Sequence, residues 1–232
     1  MKRLLLATTM LFALASGAQA VTVGVGDVGA EGTTQMQGFV DINGSAVSIP
    51  GLTGTLYLQY DGVTNGGLTW NFDYTVTNTS SFDSRISSWG LNTTPNVVGG
   101  ESTGLFDFVD LTPNFPNVNG ANIIEMCFTP NDGNCSGPGG VDDGNSASGT
   151  FSLTFASMLT SINLDAAYFR YQSLTGSEYN LVGGSGVGFN QGDLVITPFA
   201  VPGPVVGAGL PALLALFGLF GLNRIRRQRL AS

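Results

Sequence analysis

Sixteen carboxylates, two cysteines and no histidine make up the chemical inventory of this 232-residue chain. All sixteen acids lie between Asp27 and Asp193. Over residues 21–199 they face only two basic residues, Arg85 and Arg170, so that stretch carries −14 where the whole chain carries −8. With no histidine anywhere and no lysine in residues 21–199, a Ser-His-Asp or Cys-His nucleophile has no base. A histidine-ligated metal has no ligands, and a Schiff-base lysine is absent. A phosphate-binding surface needs clustered Lys and Arg, so nucleic acid is excluded as a partner. The acidity permits divalent cations and neutral or cationic partners.

Cys127 and Cys135 enclose Phe128-Thr129-Pro130-Asn131-Asp132-Gly133-Asn134, a run of turn-forming residues. A local disulfide is the favoured reading in an oxidising compartment. Closing a loop of about nine residues stabilises by roughly 2.5 kcal/mol in the chain-entropy model. Zinc would need two further ligands, which no other Cys or His supplies, and the spacing is not that of a Cys-x-x-Cys redox pair. Asn131-Asp132-Gly133-Asn134 and Asp142-Asp143-Gly144-Asn145 offer oxygen ligands of the kind calcium takes. Neither loop continues to the acidic twelfth ligand of an EF-hand, and turn chemistry is the preferred reading of both. No metal and no cofactor is implied.

Two further chemistries need geometry. Glycoside hydrolysis requires two carboxyl groups at a set separation, which a sequence with sixteen acids cannot specify. Carbohydrate binding requires exposed rings. Trp70, Phe72, Tyr74 and Val76 form one apolar stripe, which is the pattern of a core; Trp89 lies outside any alternation and is the better candidate of the two tryptophans for an exposed ring, with burial still the preferred reading for it. Asn43-Gly44-Ser45, Asn78-Thr79-Ser80 and Asn92-Thr93-Thr94 fit the glycosylation acceptor pattern, which a chain this rich in Asn, Ser and Thr also produces by chance.

The elements that position these residues are strands. Charged residues make up 10% of the chain, against about 25% in ordinary globular proteins, and polarity comes from Ser, Thr, Asn and 34 glycines. Leu68 to Thr77 alternates large apolar with small polar residues, the signature of a half-buried strand. Thr53 to Tyr60 precedes it, and Asp61-Gly62 with Asn65-Gly66-Gly67 suits the connection of a hairpin. Thr150 to Phe155 alternates again. Met36 to Ile42, Ala121 to Phe128, Asn163 to Gln172 and Gly192 to Thr197 are weaker strands, Phe155 to Ile162 forms a short helical turn at most, and Ser80 to Asn119 is expected to hold long loops. The fold class is all-β: an antiparallel sandwich or jelly-roll-like domain over residues 21–199.

Both ends read as addresses. Met1-Lys2-Arg3, the apolar run Leu4 to Ala15 and Ala18-Gln19-Ala20 form a secretory signal peptide, residues 1–20, cleaved after Ala20. At the other end, residues 200–204 are a linker and residues 205–222 an uncharged run of about 27 Å as a helix, close to the thickness of a bilayer core. The basic tail 223–232 stays cytoplasmic by the positive-inside rule.

This end resembles the PEP-CTERM sorting region in its Val-Pro-Gly-Pro variant. The match is carried by Val201, Pro202, Gly203 and Pro204, by Gly207-Ala208-Gly209-Leu210-Pro211, by the apolar run to Leu222, and by the basic stop Arg224, Arg226, Arg227 and Arg229. Gly203 stands where the family has Glu. Cys127 and Cys135, Arg170 to Leu174 and Gly184 to Gly188 are similar to the cistern family within such proteins. The resemblance implies processing by signal peptidase and an exosortase-type enzyme of a Gram-negative bacterium. It also implies tethering by the C-terminal helix in the inner membrane, and delivery to the envelope, surface or exopolysaccharide matrix of a biofilm. The expected function is that of a non-enzymatic structural or interaction protein with exopolysaccharide as partner. A surface carbohydrate-binding module is the alternative, and a secreted acid-pair glycoside hydrolase is third.

Overall fold

The computed structural model describes residues 20–42, 45–113, 124–130, 135, 137–176 and 181–190. The signal peptide, the linker, the sorting motif 201–204, the apolar run 205–222 and the arginines 224–229 lie outside them, as does the weak strand Gly192 to Thr197. Among the described residues no helix is long and apolar enough to cross a membrane.

Alternation dictates most of the strands. They are β1 (Val21–Gly24), β2 (Glu31–Ile42), β3 (Ser45–Thr64), β4 (Thr69–Asn78), β5 (Arg85–Thr94), β6 (Gly99–Ser102), β7 (Phe108–Asp110), β8 (Met126–Thr129), β9 (Val141–Asp142), β10 (Ser146–Thr154), β11 (Ser161–Gly176) and β12 (Leu181–Asn190). In β4 every second residue, from Trp70 through Phe72, Tyr74 and Val76 to Asn78, is buried. The β3–β4 connection is a 3-10 turn, Asn65–Gly67, in which all three residues have positive φ (50°, 67° and 91°). That is the conformation its Asn-Gly-Gly sequence tolerates.

All the strands belong to one antiparallel sheet, ordered β6-β10-β4-β3-β2-β12-β11-β5-β8-β7, with β1 added to β11 and β9 to β5. The sheet nearly closes into a barrel. The antiparallel all-β expectation holds, but one continuous curling sheet takes the place of two stacked ones. Bulges provide a physical reason, because an extra residue on one strand bends it and tightens its twist. The β2–β3 register shifts between Gln37 and Phe39, that of β3–β4 between Tyr60 and Gly62, and β11 shifts against both its long neighbours. At the first of these, the Gln37 amide donates to the carbonyls of Ile49 (2.8 Å) and Gly38 (3.1 Å), acceptors that the interrupted ladder leaves over.

Trp89 ties the two ends of the sheet together through its interior. Its ring stacks on Phe128 of β8 at 4.0 Å, and reaches Tyr74 of β4 at 5.1 Å and Phe151 of β10 at 5.3 Å. Phe151 in turn stacks on Phe72 at 5.0 Å and meets Phe128 at 5.1 Å. β5 and β8 lie near one end of the strand order, β4 and β10 near the other. The interior is therefore packed with rings that join opposite walls.

The stretch 80–119 departs from expectation, for it contains β5, β6 and β7. β5 was illegible because it is buried on both faces. Ile86, Trp89 and Leu91 face the core, while Ser87, Ser88 and Gly90 are also covered, which erases the alternation. A second small cluster of Ile124, Cys127, Cys135, Tyr168 and Val187 supplies cover from outside. Gly-rich β12 was likewise missed as a strand. A Cβ at its Gly188 would meet the Tyr171 ring at 2.8 Å, and one at Gly186 would meet the Phe39 carbonyl at 2.8 Å. Residues 155–160 form bends and no helix, and β8 begins only at Met126.

Truncating Trp89 to Ala is expected to cost about 3–5 kcal/mol in a denaturant titration of the purified chain. Trp89→Phe should cost much less, because it keeps a ring and removes an indole N–H that is buried without a partner among the described residues.

Candidate functional site

The outer face of the barrel carries the polar chemistry, since every strand that buries one set of side chains presents the alternate set to solvent. Across β3, β4, β10 and β6 the registers align Gly62 with Asn71, Asn71 with Ser152, and Ser152 with Glu101. This row forms a groove of about 300 Å³ lined by Asp61, Asn71, Glu101, Ser102, Thr103, Thr150 and Ser152. A second depression of about 370 Å³ shares Glu101 and Ser102 with it and adds Asp107, Phe108 and Val109.

Local structure decides which of these groups are committed. Thr103 and Thr150 hydroxyls pair at 2.9 Å, and Ser102 Oγ donates to the Thr150 carbonyl at 3.3 Å. The Asn71 amide donates to Gly62 O and Thr64 Oγ1, both at 3.2 Å, which leaves its Oδ1 as an acceptor. Glu101 and Ser152 side chains make no hydrogen bond or ion pair to a described residue. Asp61 is the extra residue of the β3 bulge, and the bulge turns its carboxyl toward Asp73 on β4. Partial burial, the Asp73 charge and a hydrogen bond to Asp73 raise the Asp61 carboxyl above its ordinary range. Beside them, Tyr57 donates to Glu31 at 2.5 Å, and that bond, burial and the nearby acids push the phenol up to about 12.

The other candidates from the sequence are placed as follows. Cys127 and Cys135 form a disulfide with Cα atoms 6.2 Å apart. The Cys135 carbonyl accepts from Arg170 Nη1 at 2.6 Å and from Ser88 Oγ at 2.9 Å, so Cys135 is held on β5 and β11. Arg170 is half-buried, and desolvation lowers its pKa. Asp142-Asp143-Gly144-Asn145 serves as a structural turn. Asp142 pairs with Arg85 at 2.7 Å, the Asp143 carboxylate accepts from Ser84 N at 3.4 Å, and Gly144 has φ +74°. Asn131 to Asn134 lies outside the described residues, among which no group of three or more acidic, His or Cys side chains could share a metal ion.

Trp70 and Trp89 are both fully buried, as are Tyr60, Tyr74 and Tyr171, so they provide no exposed platform for a sugar. Asn78 is buried too. Its amide donates to Ser84 O, Ser84 Oγ and Val141 O, which takes it out of the glycosylation acceptors. Asn92 Oδ1 accepts from Glu125 N at 2.8 Å, and Asn43 lies outside the described residues. Glu125 itself accepts from Thr93 N (2.9 Å), Thr93 Oγ1 (2.8 Å) and Val97 N, which fastens the turn after β5.

Asn71 and Asp73 could have been placed on the outer face from the alternation of β4. Glu101 could not, because it lay in a stretch read as loop.

The carboxyl facing Asp73 gives a test of this electrostatic arrangement. A pKa raised in the folded state means stability is present while Asp61 is protonated and is lost as pH rises through that pKa. Asp61→Asn should therefore melt higher than the parent at about pH 7, and the gain should vanish at about pH 3, where the parent carboxyl is protonated in both states. Calorimetric melts across that range, with Tyr57 and Asp73 unchanged, measure it. Equal melting temperatures at neutral pH would remove the carboxyl pair from the account. No family model matches this chain, and neither does any curated protein or solved structure.

Proposed function

We propose that the chain is an exported, non-enzymatic interaction protein of the cell surface or exopolysaccharide matrix, delivered by its C-terminal signal through an exosortase-type system. The observation that carries this reading is the order of features in the sequence. A positively charged start, apolar run and small-x-small site are followed by a −14 domain, then Val201-Pro202-Gly203-Pro204, an uncharged run and Arg224 to Arg229. The Cys127–Cys135 disulfide is compatible with an oxidising destination. In this reading residues 205–222 are a temporary tether and the β-domain is the cargo.

The form of the cargo supports a role in contact rather than in carrying or cutting. Rings fill its interior and join opposite walls, while hydroxyl pairs such as Thr75–Ser148 and Thr77–Ser146, each at 2.8 Å, stud the outside. Asp61 and Glu101 do line one groove, and Asp61 is raised, as an acid pair would need. They stand on strands three spacings apart, about 14 Å at the backbone, whereas glycoside hydrolysis uses carboxyl groups roughly 5–9.5 Å apart. That spacing supports holding a ligand over cutting one.

Intact mass spectrometry on protein from wild-type cells and from cells lacking the processing enzyme tests the delivery. The expected result is loss of residues 1–20 in both and loss of the C-terminal arginines only in the wild type. Full-length C-termini in both would reduce the end of the chain to a plain membrane anchor.

A further inference from the structure

We propose that the outer-face groove across β3, β4, β10 and β6 binds a neutral oligosaccharide, with Asn71, Ser152 and Glu101 hydrogen-bonding its hydroxyls and Phe108 packing on a sugar ring in the adjoining depression. This assignment deepens the interaction-protein reading and rests on it.

Four observations converge on that ligand. First, the groove presents uncommitted groups of mixed kind in one row: the Glu101 carboxylate, the Ser152 hydroxyl and the Asn71 Oδ1. A sugar hydroxyl donates and accepts, so it satisfies all three, and its bonds to a carboxylate are charge-assisted. Second, Phe108 faces outward, because the next residue, Val109, sits opposite the inward Phe128. The residue is 37% exposed and lines the depression that it shares with Glu101, so an apolar surface adjoins the polar row. Third, the two depressions, about 300 and 370 Å³, share Glu101 and Ser102, fall at the small end of ordinary ligand sites, and run sideways across the strands as suits an extended chain of rings.

Fourth, the competing ligands fit poorly. The −14 charge of residues 21–199, with Asp61, Glu101 and Asp107 along the groove, repels anionic polymers. Calcium takes six to eight oxygens at short range, and no three acidic side chains among the described residues converge on one point. A peptide added as a strand would take the outer edge of β6, whereas the row of Asn71 and Ser152 crosses the face of β4 and β10, whose backbone groups are bonded in the ladders on both sides.

The test uses the chain purified from cells, presented with immobilised hexasaccharides of β-1,3-glucan, β-1,4-glucan, α-1,4-glucan and β-1,4-mannan, together with an anionic galacturonate hexamer and a cationic chitosan hexamer. Retention by at least one neutral hexamer is expected. Glu101→Ala and Phe108→Ala should each weaken it about tenfold or more, while Phe39→Ala, on β2 and in the lining of neither depression, should leave it unchanged. Glu101 and Phe108 are exposed, so these variants keep the parent melting temperature, which a thermal scan verifies. Retention by no neutral hexamer, by a charged hexamer alone, or with no change in the two variants overturns the assignment. Such a failure is separate from a failure of delivery, because C-terminal processing is read from the intact mass whatever the chain binds.

Discussion

The contact between Trp89 and the rings of the opposite wall is the constraint on which the rest of the structure depends. A long antiparallel sheet has no intrinsic reason to bring its first and last strands together. Here the strands near one end, β5 and β8, contribute Trp89 and Phe128, and those near the other, β4 and β10, contribute Tyr74 and Phe151. The rings meet within 4.0–5.3 Å, and apolar area buried between them is what holds the curled sheet shut. Tyr74 extends the cluster by donating its hydroxyl to Thr103 O at 2.8 Å, which ties the β6–β7 connection to the same core.

Closing the sheet on aromatic rings has consequences for the backbone around them. Large side chains in the interior need neighbours without them, which is why β12 is rich in glycine where it passes Tyr171 and Phe169. The strand that carries Trp89 is also covered from outside, by the cluster of Ile124, Cys127, Cys135, Tyr168 and Val187, with the Cys135 carbonyl held by Arg170 and Ser88. Arg170, one of only two cations in the acidic stretch, thus serves packing. On the open face Asn71 and Asp61 also have partners, in Gly62, Thr64 and Asp73, whereas the Glu101 and Ser152 side chains make no hydrogen bond to a described residue.

Strands with one wet face were legible in the sequence, because alternation records that environment directly. Leu68 to Thr77 and Thr150 to Phe155 became β4 and β10 with the expected faces inward, and the paired cysteines formed the expected disulfide. Strands with two covered faces were not, since Ser87, Ser88 and Gly90 in β5 look like loop residues until the cluster of Ile124, Cys127, Cys135, Tyr168 and Val187 is set beside them. The groove was half legible. Asn71 and Asp73 follow from the pattern of β4, but the partnership of Asn71 with Ser152 and Glu101 is set by pairing between strands far apart in sequence, which no local pattern encodes.

The closure of the barrel is tested most directly by a double-mutant cycle on Trp89 and Phe151, with each changed to Leu singly and together and stability measured by denaturant unfolding. If the rings join opposite walls, the double variant should lose about 0.5–1.5 kcal/mol less than the sum of the two single losses. Losses that simply add would show that the two rings do not meet, and would contradict the account of a sheet closed through its aromatic interior.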